Sequence, residues 1–421
     1  MFSLNVYREV KNWKKPVHLA KTLAAKSYLK ALSNVDIIGI TGSVGKTLTQ
    51  NAIVSVLSQK FKVITPDENL DPTFRIPQTI LATKPWHQKL VLEYGVEHPG
   101  EMDHYLSMVK PKIAVVTVIS ATHLKYFGNV EGVYKEKVKL IEALPKNGQA
   151  ILNADDPLVS KMAQYTKARI WWYGKKASSF AHLRGEPVRG QAHPGGVTKS
   201  FIKISHFTQN MKGSKFRMHY DGQKASVSWK IIGEHQLTSA YAAATIGIAS
   251  NLTLKQIAKG LSQIKAPSHR LNAISTKHIS IIDDTYNASP KAAEESIATL
   301  IDIGKRKPKI AVLGEMKDLG TKSEQLHTEL GQKIAKSTIN YLITVGKVAE
   351  LIATAAKKNG FGGKIIKVVT TQEAIKSIKK LANPKTIILV KGSRHAHLER
   401  IINGLLHKST TINCYHCGIL K

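Results

Sequence analysis

The segment that most constrains the fold is Gly-Ile-Thr-Gly-Ser-Val-Gly-Lys-Thr, residues 39–47, which lies between an apolar run and a helical pattern. The apolar run at 35–40 has the length of a buried strand, and Leu48, Ala52 and Val56 recur at helical spacing after the loop. Glycines in such a strand–loop–helix unit let backbone N–H groups approach phosphates, and the helix N-terminus adds a positive dipole. The chain is therefore expected to contain an α/β domain with a phosphate-binding loop.

The loop also predicts which residues contact ATP. Lys46 can reach the β- and γ-phosphates, and the Thr47 hydroxyl can ligate Mg²⁺. The spacing departs from the usual G-x-x-x-x-G-K-[ST], because Ile40 stands five residues before Gly45. The Gly-Lys-Thr ending in this strand–helix context still predicts ATP binding. The expected contacts within the loop are Thr41, Gly42, Ser43, Gly45, Lys46 and Thr47.

The remaining patterns predict a second domain. Strand-sized apolar runs recur at residues 62–65, 90–94, 113–119 and 150–152. Residues 170–232 alternate in short stretches between glycine-containing turns, which predicts a small antiparallel sheet appended to a parallel one. From about residue 268 onward, strands alternate with helices. This alternation is typical of a doubly wound, Rossmann-like parallel sheet. We expect a basic segment with helical spacing at 1–34, an ATP-binding domain at 35–268, a C-terminal domain at 269–405 and a disordered tail at 406–421.

The charge balance favours anionic partners. Sixty-two Lys and Arg residues oppose 29 Asp and Glu residues, giving a formal net charge of +33. The charge is spread along the chain, so a generally basic surface is the simpler interpretation, and no nucleic-acid partner is expected. Residues 1–34 hold seven basic side chains against Glu9 alone. A basic amphipathic helix on an anionic membrane and a helix packed on the next domain both fit this segment.

Compartment and metal chemistry are less constrained. No apolar run approaches the roughly 18 residues of a membrane span, and the first thirty residues lack a signal-peptide pattern. We therefore expect a cytoplasmic protein. We also expect it to be a monomer or a weak oligomer. The two cysteines, Cys414 and Cys417, stand with His416 in the tail, and without a second pair they favour disorder over a zinc site.

Motifs after the phosphate-binding loop resemble those of the Mur ligase family, in the family's order. They are Leu-Glu-Tyr-Gly-Val-Glu-His-Pro-Gly-Glu at 92–101, Ala-Thr-His-Leu-Lys-Tyr-Phe-Gly at 121–128, Tyr-Lys-Glu-Lys at 134–137, Gly-Glu-His-Gln-Leu-Thr-Ser at 233–239, Asp-Asp-Thr-Tyr-Asn-Ala-Ser-Pro at 283–290, Val-Leu-Gly-Glu-Met-Lys-Asp-Leu-Gly at 312–320 with His327, and Val-Lys-Gly-Ser-Arg at 390–394. The resemblance covers roughly residues 35–405. It implies an ATP-dependent ligase that activates a carboxylate as an acyl phosphate and joins it to an amine. The last three motifs are similar to those of members that add D-alanyl-D-alanine to a UDP-muramoyl-tripeptide in peptidoglycan synthesis.

The resemblance also implies roles for individual residues. The implied catalytic residues are Lys46, Glu93, His123, Lys137 and Arg270. One Mg²⁺ would be held by Thr47 and Glu93, and a second by His123 and a carbamylated Lys137. Further ATP contacts would come from Ser239, Arg270, Asp284 and Asn287, and substrate contacts from Asn69, Lys391 and Ser393. Lys137 lies in a lysine-rich stretch, so a solvated helix face is the alternative for it.

Departures from the family pattern leave other functions open. Gln236 and Ser239 replace two asparagines beside the adenine, and residues 69–77 differ from the family's substrate loop. Only 34 residues precede the first strand, so the family's uridine-binding N-terminal domain is expected to be missing. One alternative is a related amide ligase with a different, lipid-linked acceptor that uses the basic N-terminus at a membrane. Another is an ATP-binding regulator without ligase activity.

Overall fold

The computed structural model describes residues 15–32, 34–66, 71–183, 201–409, 411–414 and 418–420. Asn69 and His416 lie outside the described residues, so the substrate contact expected of Asn69 has no structural account. Helix α1 (Lys15–Ala31) lies before the first strand. It packs on the domain that follows, where the Tyr28 hydroxyl donates to the Thr83 carbonyl at 2.7 Å and Ala25 joins the core.

The first domain is built on a six-stranded parallel sheet. Its strands and helices are β1 (Asp36–Thr41), α2 (Lys46–Leu57), β2 (Val63–Ile64), α3 (Pro72–Ala82), β3 (Lys89–Glu93), α4 (Glu101–Met108), β4 (Ile113–Val116), α5 (Leu124–Phe127), α6 (Val130–Glu142), β5 (Gln149–Asn153), α7 (Pro157–Lys161) and β6 (Arg169–Tyr173). The strand order is β2-β3-β1-β4-β5-β6. Helices cover both faces of the sheet, because its central strands are apolar on both sides. The carboxyl ends of β1, β3 and β4 therefore meet at one edge.

A three-stranded antiparallel sheet follows, formed by β7 (Lys203–Asn210), β8 (Gly213–Tyr220) and β9 (Gln223–Trp229). The expectation that this sheet starts at residue 170 was wrong for residues 170–173. Those residues belong to β6, which pairs with β5 in parallel. Trp172 and Tyr173 are buried there, so the aromatic run completes the large sheet. Helices α8 (Leu237–Ala249) and α9 (Leu254–Gln263) end the domain, both packed against α2.

The C-terminal domain has a second six-stranded sheet. It comprises β10 (Asn272–Ser275), β11 (Ser280–Asp284), α10 (Pro290–Gly304), β12 (Lys309–Leu313), α11 (Ser323–Ala335), β13 (Tyr341–Val345), α12 (Glu350–Lys358), β14 (Lys364–Val368), α13 (Thr371–Leu381), β15 (Ile387–Lys391) and α14 (Glu399–Leu405). The order is β10-β11-β15-β12-β13-β14, parallel except for the antiparallel edge strand β10. This α/β architecture confirms the predicted fold class, and the antiparallel β10 is an addition to it. Within the tail, β16 (Ile412–Cys414) and β17 (Gly418–Leu420) form a short hairpin.

No helix in the described part of the chain is both long and apolar enough to cross a membrane. The two domains contact each other directly. Leu326 of α11 packs against the cores of both domains, and the Gln209 amide donates to Asp302 Oδ2 at 2.6 Å. The edge of the first sheet that carries the phosphate-binding loop therefore faces the second domain.

Candidate active site

The loop between β1 and α2 has the conformation that its glycines allow. Gly42 has φ of +145°, and a Cβ built there would lie 1.9 Å from Thr117 Oγ1. Gly45 has φ of +82°, and a Cβ there would meet nothing within 4 Å. Only glycine fits the first position, since a side chain would collide with β4's end. The open space at Gly45 lies directly before the N-terminus of α2, where a phosphate is favoured.

Hydrogen bonds hold this loop against neighbouring strands. The Thr41 hydroxyl donates to the Tyr94 carbonyl at 2.8 Å, and Thr117 Oγ1 donates to the Val44 carbonyl at 2.6 Å. Ser43 N donates to the Val118 carbonyl at 2.6 Å, and its hydroxyl contacts the backbone of Ser120. The side chains of Thr41 and Ser43 thus bond within the protein and shape the loop.

Lys46, Thr47 and Glu93 form one cluster at the sheet edge. Thr47 Oγ1 donates to Glu93 Oε2 at 2.9 Å, and Lys46 Nζ lies 3.9 Å from Glu93 Oε1. Burial lowers the pKa of Lys46, Glu93 opposes that shift, and Arg270 of the other domain adds to it. The hydroxyl and carboxylate predicted to share Mg²⁺ are therefore neighbours, and Arg270 acts on the same place electrostatically. Oxygen ligands of this kind suit Mg²⁺.

Lys137 is buried, with 1% of its surface exposed, so the alternative of a solvated helix face is wrong. Burial, with the charge of Lys46 acting in the same direction and Glu93 opposing, lowers the pKa of Lys137 to about 7. His123 shares this environment: burial, then Lys137, Lys46 and His98, lower its pKa to about 3. His123 is therefore neutral at pH 7, the form in which an imidazole binds metal. Its Nδ1 is buried without a hydrogen-bond partner among the described residues.

Glu97 belongs to the same region, although no feature of the sequence singled it out. Burial, together with the charges of Asp71, Glu101 and Asp318 and against that of Lys46, raises the pKa of Glu97 to about 7. Its position four residues after Glu93 was visible in the sequence, but spacing alone does not distinguish a buried carboxylate from a surface one. Across the described residues no three His, Cys, Asp or Glu side chains form a metal-binding group. Any ion here would depend on Thr47, Lys137 or substrate oxygens as well.

The second domain contributes a buried ion pair. Lys391 Nζ lies 2.6 Å from Asp284 Oδ2 and donates to the Asn287 carbonyl at 2.9 Å. Asp284 also accepts from Ser296 Oγ at 2.5 Å and from Leu271 N at 3.2 Å. Both carboxylate oxygens of Asp284 are thus engaged within the domain. Lys391 consequently holds the loop that carries Asn287, whose own side chain is exposed.

Two arginines flank that loop. The Arg270 guanidinium lies 4.0 Å from the ring centre of Tyr286, and that of Arg394 lies 5.7 Å from it. Stacking of Arg270 on the aromatic face leaves its N–H groups available for an anion, whereas Arg394 Nη1 lies 3.6 Å from Glu399 Oε1. Ser393 is 1% exposed, and its hydroxyl has no hydrogen-bond partner among the described residues. The predicted substrate residues Lys391 and Ser393 therefore lie beside the arginines.

A cleft between the domains lies next to the phosphate-binding loop. Its lining includes Gly45, His235 and Ser239 from the first domain and Lys291 and Glu295 from α10. Ser239 is 2% exposed, and its hydroxyl pairs with Thr49 Oγ1 at 2.9 Å. The side chain predicted to contact ATP therefore fastens α8 to α2. Burial lowers the pKa of His235 to about 4, so a neutral ring lines the cleft.

The fold and site together define a class of protein. It has a P-loop nucleotide-binding domain, and a second, mostly parallel α/β domain lies against the sheet edge that carries the phosphate-binding loop. Residues 40–247 match the Mur ligase middle domain, and residues 269–394 match the Mur ligase, glutamate ligase domain. The chain belongs to the Mur ligase family. Both matched regions coincide with the two domains seen in the structure.

Two similar relatives are each named UDP-N-acetylmuramoyl-tripeptide–D-alanyl-D-alanine ligase. The one from Buchnera aphidicola subsp. Baizongia pistaciae is 32% identical over 385 residues, covering 90% of this chain and 77% of the relative. The one from Bacillus subtilis is 30% identical over 386 residues, covering 91% of this chain and 78% of the relative. A crystal structure of MurF from Acinetobacter baumannii matches with a TM-score of 0.80 and 26% identity, over 93% of this chain and 81% of that one. A MurF ligase from Thermotoga maritima, in complex with ADP, has the same fold, with a TM-score of 0.77, 23% identity and coverage of 93% and 84%.

Proposed function

We propose that the chain is an ATP-dependent, ADP-forming ligase that joins D-alanyl-D-alanine to the free carboxylate of a UDP-N-acetylmuramoyl-tripeptide. The observation that carries the proposal is the meeting of Lys46, Thr47, Glu93, His123 and buried Lys137 at one sheet edge. A protein that only binds ATP has no need of the His123 and Lys137 pair. The two similar relatives carry this activity in their names.

The chemistry requires two anions to meet. The substrate carboxylate attacks the γ-phosphorus of ATP and ADP leaves. The amine then attacks the acyl carbon of the acyl phosphate, inorganic phosphate leaves, and the nitrogen gives up a proton as the amide forms. At 4 Å two unit charges repel by about 4 kcal/mol at an effective dielectric constant of 20. The positive charges of Lys46, in the first domain, and Arg270, in the second, both act at the phosphate-binding loop and offset that repulsion. Mg²⁺ held by Thr47 and Glu93 neutralises phosphate charge when bound.

The second ion and the carbamate belong to the same proposal. A lysine amine with a pKa of about 7 is largely neutral under physiological conditions, and a neutral amine adds to CO₂. The resulting carbamate is an anion, so Lys46, which repels the ammonium form of Lys137, attracts the modified form. Carbamylated Lys137 and neutral His123 would then offer a metal ion one oxygen donor and one nitrogen donor.

Arg270 and Asp284 have separate parts in the proposed mechanism. Arg270, stacked on Tyr286, is free to turn its N–H groups toward the γ-phosphate. Asp284 acts indirectly, by fixing Lys391 and the loop that carries Asn287. Closure of the second domain over the loop excludes water from the acyl phosphate, which would otherwise hydrolyse.

The experiment is a phosphate-release assay with mass detection of products. Purified protein, ATP and Mg²⁺ are combined with UDP-muramoyl-tripeptide or muramoyl-tripeptide, each with D-alanyl-D-alanine, single amino acids or no amine. The expected result is phosphate release coupled one-to-one to a pentapeptide product with D-alanyl-D-alanine. Comparison of the two acceptors measures what the uridine nucleotide contributes. Saturable ATP binding without any product across the panel would favour a regulator instead.

We also propose that α1 makes a peripheral contact with anionic lipid. The side of α1 that carries Thr22 and Ala25 is buried. The opposite side is therefore the one that can contact a membrane. Val17 and Leu23 are 52% and 47% exposed there, in a helix with four lysines. Sedimentation with phosphatidylglycerol vesicles, but not phosphatidylcholine vesicles, is expected, and added salt should weaken it. Equal sedimentation of Leu23→Glu and the unmodified chain would refute this contact.

A further inference from the structure

The loop at 314–320, which follows β12, is fixed firmly in its own domain. Met316 and Leu319 are each 2% exposed and belong to the C-terminal core. Met316 N donates to Nε2 of His327, a fully buried histidine, at 2.9 Å, and the Glu315 carbonyl accepts from Ser393 N at 3.0 Å. With both sides anchored, the backbone at Asp318 turns outward in the left-handed region, with φ of +61°.

Asp318 contacts the first domain beside His123, the predicted metal ligand. Its carbonyl accepts from Lys125 N at 3.0 Å, which ties the loop to the first turn of α5. Its carboxylate Oδ2 lies 3.8 Å from His123 Nδ1. A Cβ on Gly320 would lie 3.2 Å from the Lys125 Cα, so the two backbones touch closely. His123 itself has φ of +53° as the residue that precedes α5.

This placement matters because His123 Nδ1 has no hydrogen-bond partner among the residues that the structure describes. The atom is buried, and Asp318 is the acidic group beside it. A carboxylate behind an imidazole favours the tautomer with the proton on the near nitrogen, which leaves the far nitrogen as a metal ligand. The separation of 3.8 Å is longer than a hydrogen bond, so in this structure the carboxylate acts on the ring through its charge, and a small further approach of the second domain would add a hydrogen bond.

We propose that Asp318 is a positioning residue that makes the tautomer and orientation of His123 depend on docking of the C-terminal domain. This rests on the proposed function in one respect, the assignment of His123 to a metal ion. The consequence is that the second metal site is complete only when Arg270 and Lys391 have been brought over the phosphate-binding loop. Phosphoryl transfer would then be confined to the closed enzyme.

The test uses Asp318→Asn, which keeps a residue tolerant of positive φ, and Asp318→Gly, which removes the side chain without backbone strain. The matched control is Asp221→Asn, an aspartate with φ of +47° in the β8–β9 turn. Thermal unfolding establishes that each variant is folded. Two quantities are then measured: the tautomer of His123, and the Mg²⁺ concentration that half-activates the ligase.

The tautomer is measured on metal-free and substrate-free protein by long-range ¹H–¹⁵N NMR of histidine rings, with His123→Gln to assign the signal. We expect the Nδ1-protonated form in the unmodified chain and in Asp221→Asn, with a shift toward the Nε2-protonated form in Asp318→Gly. Half-activating Mg²⁺ should rise about tenfold to a hundredfold, the usual effect of removing a partner of a ligating histidine. For both quantities, Asp318→Asn should give values between those of the unmodified chain and those of Asp318→Gly.

An unchanged tautomer in Asp318→Gly overturns the proposal, whatever the kinetics show. A changed tautomer with unchanged Mg²⁺ dependence overturns the coupling to the metal. The NMR measurement needs neither ATP nor a peptide, so it remains decisive if the unmodified chain fails to make a pentapeptide. Failure of the proposed ligase activity is thereby distinguished from failure of the role assigned to Asp318.

Discussion

Exposure of the protein to CO₂ at controlled pH is expected to convert Lys137 to a carbamate. Addition of CO₂ requires the neutral amine, and burial brings the pKa of Lys137 from 10.5 to about 7. At pH 7.5 roughly three quarters of the Lys137 amine is then neutral, against about one in a thousand for an ordinary lysine. The reactive fraction is larger by a factor of several hundred. Below pH 7 the ammonium form predominates, so carbamate formation should fade as pH falls.

The assay is ¹³C NMR of protein equilibrated with ¹³C-bicarbonate at pH 6, 7.5 and 8.5. One carbamate signal is expected at the two higher pH values, and it should be absent from Lys137→Ala. Lys135→Ala is the matched control, because the same helix carries that lysine and it is exposed. Ligase activity should fall at least a hundredfold in Lys137→Ala and recover in part with acetate or a longer carboxylic acid, whose oxygens replace the carbamate. Lys135→Ala should keep full activity.

Two results would refute this reasoning. A Lys137 amine that titrates above pH 9, followed by its ¹³Cε shift, would show that burial does not suppress the charge. A carbamate signal that persists in Lys137→Ala would place the modification elsewhere. Loss of activity without rescue by carboxylic acids would leave the lysine essential but would remove the argument for a carboxylate at that position.

Three further outcomes follow from the structure. Lys46→Ala should abolish phosphate release with little change in Tm, since the side chain supplies charge to the transition state rather than packing. Gly42→Ala should weaken ATP binding by more than about tenfold, or roughly 1.4 kcal/mol, as measured by calorimetry, because its Cβ would meet Thr117 Oγ1 at 1.9 Å. Asp284→Asn should lower the free energy of unfolding by about 3–5 kcal/mol in urea melts, because Lys391 would keep a buried charge without its carboxylate.

Each of these outcomes has a control remote from the site. Lys336→Ala, in an exposed position, should leave turnover unchanged. Gly360→Ala has similar backbone strain at φ of +80° with open space around it, so ATP affinity should stay constant. Glu294→Gln removes an ion pair with Lys333 that is more exposed than the pair of Asp284 with Lys391. The free energy of unfolding should therefore fall by less than about 1 kcal/mol. Equal effects in a variant and its control would contradict the explanation given.

The sequence predicted the phosphate-binding loop and both sheets because their signals are local. Glycines at positive φ and apolar runs of strand length are encoded within a few residues. The pairing of β6 was missed because its neighbours are chosen by crossover helices and by burial of Trp172 and Tyr173, which local alternation does not contain. Burial of Lys137 had a signal: it lies four residues from both Val133 and Ile141, two buried apolar positions of α6. That spacing places it on the inner stripe of the helix.

Other features of the site had no local signal. Asp318 and His123, which lie far apart in the sequence, meet only because the two domains dock at that point. The hydroxyl of Ser239 is taken by Thr49, a partner 190 residues away. Glu97 acquires its raised pKa from burial and from carboxylates on three other segments. Interactions of this kind depend on tertiary geometry, so residue types and spacing alone did not reveal them.

The hydrogen bonds that hold the phosphate-binding loop also bear on the thermodynamics of nucleotide binding. Thr41, Ser43 and Thr117 fix the loop's backbone to strands β3 and β4 and their extensions. The conformational entropy of that backbone is therefore lost when the chain folds rather than when a nucleotide arrives. The amide hydrogen of Ser43, which bonds to the Val118 carbonyl, should exchange slowly with solvent deuterium even without ligand. ATP then meets a rigid cradle, and the flexible partner in the encounter is the nucleotide.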